Sequence, residues 1–466
     1  MSDLNQRLQS KYPHLEISVL SLDSVKKDNE SFRIDSEPFK KSNLIYGDNF
    51  EYLPLNKIAI INPSKTEISN LNKNLEITFL SMQNLGSGVI NEQETGTIKE
   101  YLSGYTYFRE NDILIAKITP CMEHGKCAVA YDLKNKIGFG STEFNVFRVV
   151  DSRFTTEFIF CFLNRESIRK IAVDNMVGTS GRQRVPTAFY EKLKIPIFSK
   201  EFQLEIEKLV KDSHKALESS KALYKEAEEI LYNELNLDSV SLESNSLNIT
   251  IKTLKESFLK TSRLDSEYYQ SKYENIESKI KNYPKGYVKL EINEIKDSNF
   301  TPKKEQKYRY IELANISSNG VINEPLEELG KDLPTRARRL VKEGDLIVSS
   351  IEGSLSSCAL ITKEYDNCIV STGFYVLKTK EINSETLLVL FKSQFFQNYL
   401  KKFPSGTILT AISKDELQNI LIPKIDSKIQ ANIESKIKES FKLRTKSKEL
   451  LNLAKQKVES ALQTKN

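Results

Sequence analysis

Hydrophobic positions along this chain follow two alternating styles. Short β-branched and aromatic runs, such as Asp112–Ile118 and Asp345–Ser350, lie between turns rich in Gly, Asn, Ser and Pro and predict strands. Two modest helical patches, Glu157–Ile171 and Ser384–Leu400, interrupt them. After Ile195-Pro196, and again after Ile422-Pro423, the pattern becomes a long helical one without Gly or Pro. Ser199 and Asp426 stand where an N-cap is needed. The two long runs share a heptad register. Ile206, Ser213, Ser220 and Ala227 fall seven apart in the first, flanked by Val210, Leu217, Tyr224 and Leu231. Ile433, Ser440, Ser447 and Ala454 do so in the second, flanked by Ile437, Arg444, Leu451 and Val458. Such a stripe asks for a partner helix, and a Ser-Ser-Ala seam lets two backbones approach closely. Charge points the same way: Lys200–Leu235 holds six basic and nine acidic residues, whereas Lys424–Lys465 holds eleven and five. Each helix is therefore predicted to pair with the other rather than with its own domain alone.

The shared register belongs to a larger repeat. Arg33-Ile34-Asp35-Ser36-Glu37 is echoed by Arg263-Leu264-Asp265-Ser266-Glu267. Gly88-Val89-Ile90-Asn91 is answered by Gly320-Val321-Ile322-Asn323, and Asn111-Asp112-Ile113-Leu114-Ile115 by Gly344-Asp345-Leu346-Ile347-Val348. Ser141-Thr142-Glu143-Phe144 pairs with Ser371-Thr372-Gly373-Phe374, Ser180-Gly181 with Ser405-Gly406, and Gln203 with Gln430. The order is kept throughout while the offset drifts only between 225 and 233. The chain reads as a tandem duplication of units of roughly 200 residues.

Composition narrows the class. A chain of 466 residues with 39% hydrophobic content supports two or three packed domains. No run of about 18 apolar residues occurs and the first dozen residues are polar, so neither a membrane span nor a secretory leader is expected. Cys121, Cys127, Cys161, Cys358 and Cys368 are scattered and odd in number, which suits reduced thiols in a cytoplasm. The net charge of +5 is compatible with a nucleic-acid partner without requiring one.

Strand-rich domains opened by an R-[IL]-D-S-E element and closed by S-G, I-P and Q before a long helix resemble the specificity subunit of type I restriction–modification enzymes. The resemblance runs from about Phe32 to Leu462 and includes Glu110–Lys126 (ENDILIAKITPCMEHGK), Ser141–Phe144 (STEF) and Gly178–Pro186 (GTSGRQRVP). The second copy departs from it, since Pro404-Ser405-Gly406-Thr407 lacks the following Arg-x-Arg. The resemblance implies an α+β fold: two tandem target-recognition domains, each followed by a long helix, the helices paired as an antiparallel coiled coil with pseudo-two-fold symmetry. The expected layout is an N-terminal extension (1–30), first target-recognition domain (31–198), first spacer helix (199–236), connector (237–260), second target-recognition domain (261–424) and second spacer helix (425–466). It also implies a cytoplasmic, non-catalytic DNA-binding subunit without cofactor. That subunit would read a bipartite, asymmetric site in double-stranded DNA and dock two modification (adenine methyltransferase) subunits, joined for cleavage by restriction (translocase–nuclease) subunits.

The helices give this reading a geometric basis. Roughly 35 helical residues span about 50 Å at 1.5 Å per residue, beyond the ~34 Å between successive major-groove faces. An inserted helical turn near Leu235 is accordingly expected to lengthen the unread spacer of the target. Arg182, Gln183 and Arg184 follow a Gly-Thr-Ser-Gly turn and offer the forked donors that read guanine and adenine edges. Arg336, Arg338 and Arg339 form the densest basic cluster of the second copy and suit phosphate. Lys117 and Lys126, which flank the Cys121–His124 loop, and Thr407, which follows the second Ser-Gly turn, are further candidate DNA contacts. Cys121, His124 and Cys127 make a poor zinc pattern for want of a fourth ligand, so no metal is expected. The carboxylates Asp35, Glu37, Asp265 and Glu267 are read as a structural anchor beside Phe39 and Tyr269 rather than a catalytic pair. An enzyme is the rival class, but there is no Pro-Pro dipeptide for a flipped adenine, no G-x-G-x-x-G and no P-loop. A coiled-coil adaptor without DNA affinity, and the specificity component of a system with a fused methyltransferase–nuclease, remain as alternatives. The target sequence and spacer length are not legible in the residues.

Overall fold

The run Ile113–Ala116 is buried along its whole length because both of its faces are covered. Ile113 and Ile115 turn one way, into a core with Phe158, Phe162 and Ile168, while Leu114 and Ala116 turn the other way, against Leu80 and Phe108. That is strand alternation with apolar residues at both phases. The sequence repeats the device: Leu346 and Val348 pack with Leu387 and Phe391, and Ile347 packs with Ile311 and Val341. The structure, a computed structural model, describes residues 2–15, 17, 19–26, 34, 50–179, 181–237, 249–296, 298–317, 319–323, 325–406 and 410–463.

These residues fall into two compact units, Met1–Leu217 with Arg444–Asn466, and Glu218–Leu443. Each of the long helices, Lys200–Leu235 and Ser427–Gln463, gives one half to each unit. In the first unit a four-stranded antiparallel sheet runs in the order Ala59–Ile61, Phe144–Val149, Ile113–Ala116, Cys127–Val129. A second sheet runs Glu94–Thr97, Glu76–Leu80, Ile137–Gly140, Thr106–Arg109, its central pair parallel. Tyr52–Pro54 pairs with Lys194–Pro196 to bring the two ends of the domain together. The second unit has the same topology. Its first sheet is Glu294–Lys296, Phe374–Lys378, Leu346–Ser349, Cys358–Leu360, and its second is Leu326–Leu329, Lys307–Ile311, Ile369–Ser371, Ala337–Leu340. The central pair of the second sheet is again parallel, and Tyr287–Lys289 joins Leu421–Pro423.

Each helical patch of the sequence is two helices: Thr156–Leu163 with Glu166–Asp174, and Ser384–Lys392 with Gln394–Leu400. In the second unit the break is made by Ser393, whose hydroxyl accepts from Phe396 N at 3.2 Å and so starts a new helix. The N-terminus of each long helix is fastened by the repeated glutamine. Buried Gln203 accepts from Thr155 N (2.9 Å) and donates to the carbonyls of Arg153 (2.9 Å) and Phe198 (3.0 Å). Gln430 accepts from Asn383 N (2.9 Å) and donates to the carbonyl of Ile425 (3.0 Å). Thr155 and Asn383 are themselves the caps of equivalent helices.

The long helices pair antiparallel in both units. In the first, Ser213 donates to the Ser447 carbonyl at 2.8 Å, and Lys457 meets Glu205 at 2.8 Å. In the second, Ser440 donates to the Ser220 carbonyl at 2.8 Å, and Lys436 meets Glu226. Each serine bond is the repeat image of the other, as the shared heptad register requires. Ile206, Ser213, Ser220, Ala227, Ile433, Ser440, Ser447 and Ala454 are all buried.

Candidate nucleic-acid interface

Three sequence elements that lie apart in the chain meet at one place in the first unit. Lys117 N donates to the Glu143 carbonyl (2.9 Å), Val185 N to the Lys117 carbonyl (2.9 Å) and Thr119 N to the Gln183 carbonyl (3.1 Å). Val177 and Arg184 exchange backbone hydrogen bonds at 3.0 and 2.9 Å and close the loop between them. Arg182 is exposed at the tip of that loop, and Gln183 and Lys117 are half-buried beside it. Arg184 is held differently. Its Nε and Nη2 both reach the Glu143 carboxylate (Nη2 at 2.7 Å), and its Nη1 donates to the Arg182 carbonyl at 2.9 Å. These charge-assisted bonds hold the Glu143 carboxyl below the usual carboxylate range.

The second unit builds the same frame from other residues. Ser350 N donates to the Gly373 carbonyl (2.9 Å), Ile412 N to the Ser350 carbonyl (2.8 Å) and Glu352 N to the Thr410 carbonyl (3.1 Å). Ser405 and Ala411 exchange backbone bonds at 3.0 and 3.1 Å. Ser405-Gly406 therefore corresponds to Val177-Gly178, not to Ser180-Gly181. The left-handed glycines agree, with φ of 131° at Gly406 and 121° at Gly178. A dipeptide match set the wrong register by three residues; backbone conformation sets the right one. Ser180 and Thr407 themselves lie outside the described residues.

The Arg263-Leu264-Asp265 element supports this loop from below. Arg263 bonds both Asp265 oxygens (2.9 and 2.7 Å) and donates to the carbonyls of Phe403 (2.8 Å) and Pro404 (3.0 Å), immediately before Ser405-Gly406. Its guanidinium lies over the Tyr268 ring, 4.5 Å from the centroid. Of the first-copy element only Ile34 is described; Arg33, Asp35, Glu37 and Phe39 lie outside the described residues. Arg263→Met should cost roughly 2–3 kcal/mol by leaving two carbonyls unpaired. Faster amide exchange at Phe403, Ser405 and Gly406, with the first unit unchanged, is the measurement that checks it.

The remaining candidates are placed as follows. Lys126 donates to the Met82 carbonyl at 3.0 Å and so braces the loop before Gly88-Val89-Ile90-Asn91. Arg336 is exposed next to the strand Ala337–Leu340, and its carbonyl accepts from Thr372 N at 2.8 Å. Arg338 donates to the Thr335 carbonyl at 2.9 Å, and Arg339 lies over the Tyr375 ring, 5.3 Å from its centroid. The cluster is thus split, with Arg336 outermost. Among the described residues there is no group of three or more His, Cys, Asp or Glu arranged to hold a metal. Cys127 is core, its thiol pushed up by burial.

Two trios escaped the sequence reading. Glu157 is buried, accepts from Tyr131 Oη at 2.7 Å and lies 3.6 Å from Lys211, which also bonds Glu207 at 2.6 Å. Glu385, Glu434 and Lys438 repeat the arrangement, with Lys438 3.8 Å from Glu385. Burial raises the pKa of both Glu157 and Glu385. The trios join each domain to its long helix, and alignment of the two copies was the signal that could have found them.

No family model matches the sequence. Over 176 residues, 37% of this chain, it is 32% identical to the type I restriction enzyme EcoEI specificity subunit of Escherichia coli. Over 151 residues, 32% of this chain, it is 36% identical to the type I restriction enzyme EcoAI specificity subunit of the same organism. The matched segments span 28% and 25% of the length of these curated relatives. The HsdS subunit from Thermoanaerobacter tengcongensis overlaps 92% of this chain and 98% of its own at 15% identity, with a TM-score of 0.31. The type I restriction–modification S subunit from M. genitalium overlaps 89% and 97% at 16% identity, with a TM-score of 0.41. Over the matched segments the sequence is similar to the specificity subunits of type I restriction enzymes.

Proposed function

We propose that this chain is the DNA-reading subunit of a type I restriction–modification assembly. It would work in the cytoplasm and carry out no chemistry of its own. The observation that carries the reading is one backbone frame written twice with different side chains at its loop: Arg182-Gln183-Arg184 in one copy, Thr410-Ala411 in the other. A reader of two unlike half-sites needs that combination. A fixed frame positions the loop on the phosphates, and variable side chains discriminate base edges. The paired helices, shared by both units, supply a surface on which two methyltransferase subunits would dock, with restriction subunits joining for cleavage. The spacer of the target would be set by helix length.

The test is to co-express the chain with the methyltransferase subunit of its own system and map methylated adenines genome-wide. A two-part asymmetric motif with an unread gap is expected. Methylation by an active complex without sequence preference would refute the reading and leave an adaptor.

A further inference from the structure

We infer that Arg184 is a positioning residue rather than a base reader, and that Glu143 and Arg184 pin the first recognition loop while Glu352 and Thr410 pin the second. This rests on the proposed DNA-reading function. The first observation is the state of the Arg184 fork. Its Nε–Nη2 edge is taken by Glu143 and its Nη1 by the Arg182 carbonyl, so the donor pair that would read a guanine is engaged within the protein. The carbonyl it holds lies close across the loop from Gly178. A Cβ at Gly178 would lie 2.9 Å from the Arg182 oxygen, and Gly178 has φ of 121°. Arg184 therefore fixes the backbone from which the exposed Arg182 side chain projects.

The second observation is internal to the chain. The equivalent backbone hydrogen bonds align Glu143 with Gly373, Arg184 with Ala411, Thr119 with Glu352 and Gln183 with Thr410. Both members of the ion pair are gone together in the second copy. In their place Glu352, from the segment equivalent to Lys117–Thr119 rather than that of Glu143, accepts from the hydroxyl of Thr410, one residue earlier in the loop than Ala411. Independent drift would strand one partner of a half-buried pair at a cost. Replacement of one complete pin by another is what a requirement for a held loop would leave behind. A glycine-bearing loop that is already held loses less conformational freedom when DNA binds.

Glu143→Ala separates the two roles. A positioning pair predicts that Glu143→Ala and Arg184→Ala each weaken methylation through the first half-site by about tenfold. The double variant should be no worse than either single, and the second half-site should be unaffected. A base-reading Arg184 predicts the opposite: Glu143→Ala would free the fork and leave binding unchanged or tighter, and Arg184→Ala would relax one base position. Either of those results overturns the inference. Arg182→Ala should relax a base or weaken the site without altering amide exchange in the loop, whereas Arg184→Ala should accelerate exchange there. Should the first-unit variants fold poorly, Glu352→Gln with Thr410→Val makes the same test on the second half-site, and an undisturbed second half-site refutes the inference. Absence of any two-part motif with the wild-type complex would instead refute the DNA-reading function itself.

Discussion

Arg148→Met should be among the most damaging single substitutions in the first unit, costing about 3–5 kcal/mol at neutral pH. Asp112 is only 1% exposed, and Arg148 grips both its oxygens at 2.8 and 2.7 Å while Arg109 N supplies a third bond at 2.7 Å. Removing the guanidinium leaves a buried carboxylate with one amide. The pH dependence follows from the direction of the shift. Burial raises the Asp112 pKa even with Arg148 present, so this group contributes stability below its unfolded pKa that is lost as pH rises through its folded one. Without Arg148 the folded pKa climbs further. The deficit should be largest at pH 7–8 and shrink as the medium is acidified and Asp112 accepts a proton. Urea unfolding at two pH values checks this, and Asp112→Asn combined with Arg148→Met should recover most of the loss at neutral pH. A deficit independent of pH would show that lost packing, not the unpaired charge, is responsible.

The same aspartate illustrates how far the sequence could be read. Asp112 and Asp345 were visible as repeat partners because each precedes an apolar run in the same order. Each also accepts the amide three residues before it, Arg109 N or Lys342 N. Their cations were not visible: Arg148 comes from the neighbouring strand on one side, while Lys296 arrives from a different strand in the second unit. Local order survives duplication because it is set by strand and turn chemistry. Pairings across the sheet can be re-solved by any nearby cation, so no fixed spacing betrays them. The loop between Val177 and Arg184 followed the same rule. Its Arg-rich sequence was legible, but the diversion of Arg184 to Glu143, some forty residues away, was not. The helix seam was legible in full, because a heptad register is a local pattern whose partner carries the same pattern.

That seam gives the second large effect. The Ser440 hydroxyl, one atom beyond its Cβ, reaches the backbone carbonyl of Ser220 at 2.8 Å, and the two hydroxyls lie 3.0 Å apart. The backbones at this point are therefore too close for a branched side chain. Ser220→Leu adds volume where both seam residues are fully buried, at an overpacking cost of about 1–3 kcal/mol, and pushes Ser440 off its acceptor for roughly 1–3 kcal/mol more. Ser220→Ala should behave differently, because the Ser220 carbonyl remains and the Ser440 bond with it; a loss near 1 kcal/mol is expected. Removing both hydroxyls in Ser220→Ala with Ser440→Ala leaves no orphaned donor and should cost little more. The ordering by thermal unfolding should be wild type, alanine single, alanine double, then leucine well below. Tolerance of leucine would mean that the helices can separate here without consequence, and small side chains would no longer explain why Ser-Ser-Ala is written on both. The hydroxyls matter for another reason. Alanine would allow the same approach at any of several registers, whereas a serine that must find the opposing serine's carbonyl selects one.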